Sequence, residues 1–131
     1  MSQKTIWVVD DDPIYQIIVN KIIKKSELFS SVSSFKNGKD AIDALKNALK
    51  NSERLPDIIL LDINMPIMDG WEFMEEKLLL KPLIKDPVQI YIVSSSIALE
   101  DKNKAKNYSE IIAYLSKPIN DNDLILIAAN H

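Results

Sequence analysis

The sequence predicts a doubly wound α/β fold, a five-stranded parallel sheet with helices on both faces. Short apolar runs rich in β-branched residues alternate with longer segments of helical periodicity along the whole chain. The run Ile58 to Leu61, bounded by Pro56 and Pro66, is apolar at every position, the pattern of a central strand buried on both faces. Acidic and polar residues gather where the runs end: Asp10 to Asp12, Asp62, Ser94 to Ser96, and Ser116-Lys117. In open parallel sheets the C-terminal ends of the strands are where ligands bind.

Thr5 to Val9 is the first strand. Pro13 suits the first turn of the helix that follows, where a backbone N–H is not needed, with Asp12 as its N-cap. Ile14, Ile17, Ile18 and Ile22 recur at helical spacing and predict the inward stripe. Lys21, Lys24 and Lys25 stand toward the C-terminal end, where cations suit the helix dipole. Ser31 to Phe35 is a second strand, polar enough to be an edge. Asn37-Gly38 turns the chain into a helix with Ala41, Ile42, Leu45, Ala48 and Leu49 along one stripe. The polar segment Lys50 to Leu55 leads into the central strand.

After Gly70 a third helix has Trp71, Met74 and Leu78 on its inner face and Glu72, Glu75 and Glu76 outside. Leu79 to Ile84 is more apolar than a connection needs. Val88 to Val93 is the fourth strand. Leu99 to Tyr108, rich in Lys and Asn with a thin apolar face, predicts a helix of low intrinsic stability. Ile111 to Leu115 is the fifth strand, and Asn120 or Asp121 caps a last helix carrying Leu124, Ile125, Ile127 and Ala128.

The 131 residues make one domain, 1–131, and its 47% hydrophobic content is enough to bury a core unaided. A net charge of −3, with lysines interspersed among acids, argues against direct binding to nucleic acid. The absence of cysteine excludes disulfides, thiolate metal sites and Cys catalysis, and fits a reducing compartment. The first apolar run, Ile6 to Val9, is too short for a signal peptide or membrane span, so no membrane association and a cytoplasmic location are expected. His131, the sole histidine, is terminal and not a catalytic candidate. The only two glycines, Gly38 and Gly70, are each expected to mark a turn.

Without a Gly-rich G-x-G-x-x-G turn after the first strand, the chain fits the flavodoxin-like strand order 2-1-3-4-5 better than a dinucleotide-binding order. That order brings Asp10 and Asp11, Asp62 and Ser94 into one crevice, with Lys117 reaching in from the side. Clustered carboxylates disfavour one another's charge unless a cation is present. A hard divalent ion answers this, and Mg2+ uses one or two carboxylates with waters and phosphate oxygens. Carboxylates, an ammonium and a hydroxyl around such an ion form the recurring set for phosphoryl transfer. Asp62, on the central strand, is best placed to be a carboxylate nucleophile that forms an aspartyl phosphate.

Val9-Asp10-Asp11, the run Asp62-Ile-Asn-Met-Pro-Ile-Met-Asp-Gly70, Ser94, and Tyr114-Leu-Ser-Lys117-Pro118 together resemble the receiver domain of two-component response regulators, over essentially the whole chain. The resemblance implies a phosphoacceptor receiver of a phosphorelay, not an enzyme in its own right though it assists its own phosphorylation and dephosphorylation. It makes Asp62 the phosphoacceptor, and Asp11, Asp62 and the backbone carbonyl of Asn64 ligands of Mg2+, with Asp10 acting through water. Lys117 pairs with the phosphoryl oxygens and Ser94 bonds to them once they arrive. Tyr114 matches the aromatic position that changes rotamer with phosphorylation, forming the switch with Ser94. Asn64 and Ser96 match the positions that tune attack of water on the phosphoryl group. The Lys117-Pro118 bond is expected to be cis. The implied partners are a sensor histidine kinase or histidine phosphotransfer protein and a downstream protein target, with a homodimer as a further option. The expected signalling face is the fourth helix, fifth strand and last helix, including Ile97, Leu99 and Leu126.

Ser95 departs from the family, standing where a smaller residue such as Ala is common, which makes the phosphate entrance more polar. The segments Lys50 to Leu55 and Leu79 to Asp86 are longer than in the shortest receivers. The chain ends about one helix after Lys117, as in a single-domain regulator or a piece of a longer one. Two other readings start from the same residues. A Mg2+-dependent phosphatase of the haloacid dehalogenase type would use Asp10-x-Asp12 as nucleophile and acid, but it lacks a second acidic pair after the lysine and leaves Asp62 without a role. A receiver-like binding module independent of phosphorylation would be expected to have lost a site residue, and none is missing.

Overall fold

The computed structural model describes residues 3–95 and 98–130; Ser96, Ile97 and His131, named above, lie outside the described residues. Strands β1 (Lys4–Val9), β2 (Phe29–Phe35), β3 (Ile58–Leu61), β4 (Gln89–Ser94) and β5 (Ile111–Ser116) alternate with helices α1 (Pro13–Ser26), α2 (Gly38–Lys50), α3 (Gly70–Leu80), α4 (Leu99–Ala105) and α5 (Asp121–Ala129). The strands pair in parallel in the order β2-β1-β3-β4-β5, as expected, with β2 and β5 at the edges. The apolar stretch after α3 forms a single 3-10 turn, Lys81–Leu83.

Alternate residues of each strand point to opposite faces, and they build two apolar layers. Val9, Ile59, Leu61, Ile90 and Ile92 pack with Ala41, Ile42 and Leu45 of α2 and Phe73 and Met74 of α3. Ile6, Val8, Ile58, Leu60, Tyr91 and Val93 pack with Val19 and Ile23 of α1 and Leu124 and Ile127 of α5. All four residues of β3 are buried, as its unbroken apolar run requires. Each such Leu or Ile contributes roughly 1.5–3 kcal/mol by leaving water, so the sheet is a firm platform for whatever its strand ends carry.

Two expected helix faces are rotated. On α1, Ile14, Ile17 and Ile18 are 69%, 58% and 46% exposed, and Val19 and Ile23 are the buried pair. This helix is apolar on more than one side, so periodicity finds a stripe without choosing which one turns inward. The choice is made by Gln16, whose side-chain amide donates to the carbonyls of Val8, Asp10 and Phe35 at 3.2, 3.0 and 3.0 Å. On α3, Trp71 and Met74 face inward but Leu78 is 38% exposed, and Phe73 and Lys77 are buried instead. The Lys77 ammonium is accommodated by Glu110 at 2.5 Å, a charged pair that makes burial of a lysine tolerable. α4 is shorter than the expected Leu99 to Tyr108, ending at Ala105, its one buried residue. No helix among the described residues is long and apolar enough to cross a membrane.

Candidate functional site

The ends of β1, β3 and β4 meet in one crevice, and the sheet's own ladder continues into it. Asp10 N–H donates to the Phe35 carbonyl and Asp62 N–H to the Val9 carbonyl, both at 2.9 Å, and Lys117 N–H donates to the Ser94 carbonyl at 3.0 Å. The backbone therefore fixes where each candidate side chain starts. Asp10, Asp62 and Ser94 are buried there, while Asp11 is exposed. Carboxylate oxygens of Asp10, Asp11 and Asp62 lie within 4.8 Å of one another. Asp12 stands outside this group: its carboxylate accepts the N–H groups of Ile14 and Tyr15 and caps α1. An acid-and-nucleophile pair built on Asp10 and Asp12 is thus not what the structure assembles.

The cluster is only partly balanced. Asp62 is held above the usual carboxylate range, first because it is buried and then because Asp10 is beside it; Lys117 and the Ile63 N–H, which donates to its Oδ1 at 2.8 Å, work the other way. The Lys117 ammonium lies 2.6 Å from Asp10 and 3.4 Å from Asp62. Burial lowers the affinity of that amine for its proton, but the hydrogen bond to Asp10 and the charges of Asp62 and Asp10 outweigh it and push its pKa up. A residue missed in the sequence completes this arrangement: the Tyr15 ring lies 4.7 Å from the Lys117 ammonium and flanks it with a π face. An oxygen-only set of three acids, one of them unfavourably charged as it stands, is the chemistry of a hard divalent cation such as Mg2+. Asn64 is exposed on the same loop, two residues beyond Asp62.

The loop after Asp62 is shaped by close backbone approaches. Met68 N–H donates to the Pro66 carbonyl at 2.7 Å across Ile67, which has φ 70° and is 78% exposed. This is a γ-turn with its central residue in the left-handed region, a conformation that costs a β-branched residue about 1–3 kcal/mol. The two glycines hold the turn, and neither has a positive φ. A Cβ on Gly70 would come within 2.5 Å of the Asp62 carbonyl oxygen, and one on Gly38 within 2.8 Å of the Met68 carbonyl oxygen. Their N–H groups donate to Ile63 at 2.9 Å and Met68 at 3.0 Å. Both glycines stand, as expected, where the chain turns into a helix, α3 and α2, and what demands glycine there is clearance for the acceptor loop.

Ser94 and Tyr114 are already in contact: their hydroxyls share a hydrogen bond. The half-buried Tyr114 ring thus stands beside Ser94, the pairing on which the expected switch depends. The Lys102 ammonium lies 6.0 Å from the Tyr114 ring centre. The Lys117-Pro118 peptide is cis, as expected. Ser95 is exposed at the end of β4, and Asn120 caps α5 with a reciprocal bond from Asp123.

Residues 6–129 match the family described as the response regulator receiver domain. A protein-glutamate methylesterase/protein-glutamine glutaminase 2 of Methanospirillum hungatei is 35% identical over 96 residues, 73% of this chain and 24% of that protein. A two-component response regulator from Cytophaga hutchinsonii has a solved structure that is similar with a TM-score of 0.83 at 30% identity, over 97% of this chain and 95% of that one. The receiver domain of a histidine kinase from Arabidopsis thaliana, complexed with Mg2+ and BeF3−, is similar with a TM-score of 0.80 at 25% identity, over 95% of this chain and 87% of that one. The chain spans about a quarter of the length of the curated relatives that it matches first.

Proposed function

Because this chain belongs to the family of response regulator receiver domains, we propose that Asp62 is its phosphoacceptor and that a histidine kinase or histidine phosphotransfer protein is the donor. A carboxylate oxygen of Asp62 attacks phosphorus as the P–N bond of a phosphohistidine breaks. The product is an aspartyl phosphate, and the released imidazole nitrogen takes up a proton. Asp11, Asp62 and the Asn64 carbonyl would hold Mg2+, with Asp10 linked through water; when bound, the ion supplies positive charge against the phosphoryl oxygens. Lys117 exchanges part of its pairing with Asp10 and Asp62 for those oxygens, and the Ser94 hydroxyl turns its proton from Tyr114 to one of them. The domain extends over residues 1–131. In this reading Asn64 and Ser96 regulate the access of water to the phosphoryl group.

The observation that carries this reading is the convergence of three carboxylates within 4.8 Å with Lys117 bridging two of them. The output is carried by the face of α4, β5 and α5, where Leu99 and Leu126 are each 70% exposed. A downstream protein, or a second copy in a homodimer, covers that face. Intact mass after incubation with acetyl phosphate and Mg2+ tests the proposal. One phosphoryl group is expected in the wild type and none in Asp62→Asn or with excess chelator. Labelling that survives in Asp62→Asn but disappears in Asp10→Asn would instead favour a phosphatase-like nucleophile on β1.

A further inference from the structure

α4 is weakly held by packing, since Ala105 alone of its seven residues is buried. What ties it down is polar and aromatic, and it comes from α3. The Trp71 indole N–H donates to Asp101 at 3.2 Å. The Lys104 ammonium lies 5.2 Å from the centre of the Trp71 ring. Trp71 also stacks on Tyr108, with centroids 5.9 Å apart and planes inclined by 17°. The Tyr108 hydroxyl in turn donates to Glu75 of α3 at 2.7 Å. Trp71 is itself rooted in the acceptor loop, because it follows Gly70, whose backbone is wedged against Asp62 and Ile63. One buried ring thus joins the loop that carries Asp62 to the helix that follows the strand ending in Ser94.

We propose that Trp71 restrains α4 in the unphosphorylated state, and that Asp101 and Tyr108 are the regulatory residues that set how readily phosphorylation moves this helix. The inference rests on the reading above, in which the phosphoryl group on Asp62 acts on β4 and α4 through Ser94. In the arrangement seen here Lys117 is paired with Asp10 and Asp62 themselves, so the α3–α4 contacts are those made while Lys117 is not engaged by a phosphoryl group. By linkage, a contact made only in the resting state weakens binding of the phosphoryl group by the factor with which it stabilises that state. One half-buried hydrogen bond is worth about a three- to tenfold factor.

The test is the affinity of the full chain for beryllofluoride in the presence of Mg2+, read with amide exchange over residues 99–105. Asp101→Ala and Tyr108→Phe are expected to bind the analogue about three- to tenfold more tightly and to exchange faster in α4 without it. Asp101→Asn lacks the charge, as Ala does, but keeps an oxygen to accept the indole N–H, and it is expected to stay near the wild type. Trp71→Phe, which keeps an aromatic core residue, is expected to resemble Asp101→Ala if it folds; the two surface variants decide the matter if it does not. Unchanged or weaker analogue affinity in both Asp101→Ala and Tyr108→Phe, with a normal α4 response in the wild type, overturns the inference alone. Absence of any α4 response to the analogue in the wild type overturns the reading beneath it as well.

Discussion

Lys117 stands closer to Asp10, at 2.6 Å, than to Asp62, at 3.4 Å. The ammonium is therefore a counter-ion for the acidic pair first and a phosphoryl ligand second. Replacing it by Lys117→Met keeps most of the side-chain volume and leaves two buried carboxylates unopposed. Without divalent ions the melting temperature should fall by roughly 4–10 °C. Added Mg2+ should recover most of that loss, because it supplies the missing positive charge, while labelling by acetyl phosphate stays at least about tenfold slower. A melting loss that Mg2+ leaves untouched would show that Lys117 acts by packing and not by charge.

Gly70 has no room for even one more carbon, since the obstacle at 2.5 Å is the main-chain oxygen of Asp62 and not a flexible side chain. Gly70→Ala should destabilise by about 2 kcal/mol or more. It should also reduce labelling of the molecules that remain folded, because the displaced atoms carry the acceptor. Denaturant melts paired with intact mass separate the two effects. Wild-type labelling in a merely less stable Gly70→Ala would mean that the loop adjusts freely, contrary to the clearance argument.

Asn64 is exposed, so a larger apolar side chain fits there without disturbing the core. Asn64→Leu should leave the melting temperature nearly unchanged and slow the loss of label about three- to tenfold by screening the phosphoryl group from water. The wild type, polar at this position, should lose its label within minutes. A decay of label that is the same in both proteins removes Asn64 from control of the lifetime.

The Tyr108 phenol is pushed up to about 12, by burial first and then by the Glu75 carboxylate that accepts its proton. In the unfolded chain it titrates near its ordinary value of about 10. Between those values the folded state holds the proton more tightly, so this group's contribution is complete below about pH 10 and is lost as pH rises toward 12. Tyr108→Phe should flatten the decline of stability over that range relative to the wild type. Ultraviolet titration should show one phenol fewer among the late-ionising tyrosines. An identical alkaline slope in both proteins would mean that the Glu75 contact does not persist in solution.

β3 and the α2 stripe were legible because burial there follows one regular pattern: every position of Ile58 to Leu61, and the inward positions Ala41, Ile42, Leu45 and Ala48. Asp10, Asp11, Asp62 and Lys117 were legible because strand ends converge once the strand order is known. The phase of α1 was not, since Ile14, Ile17 and Ile18 are as apolar as Val19 and Ile23, and the amide of Gln16 breaks the tie. The Trp71–Asp101 and Lys77–Glu110 pairs join residues about thirty positions apart with no local signal. Tyr15 behind Lys117 was hidden for a related reason, because its ring position depends on how α1 is turned.

The grip of Gln16 on the ends of β1 and β2 has a consequence for how the site responds to its surroundings. An amide neither titrates nor attracts counter-ions, so the scaffold under Asp10 is indifferent to ionic strength, whereas the charges mounted on it are not. Salt should therefore alter how strongly the crevice holds an anion or a metal without altering its shape. The molecule separates what must stay constant from what must respond by building one from neutral dipoles and the other from ions.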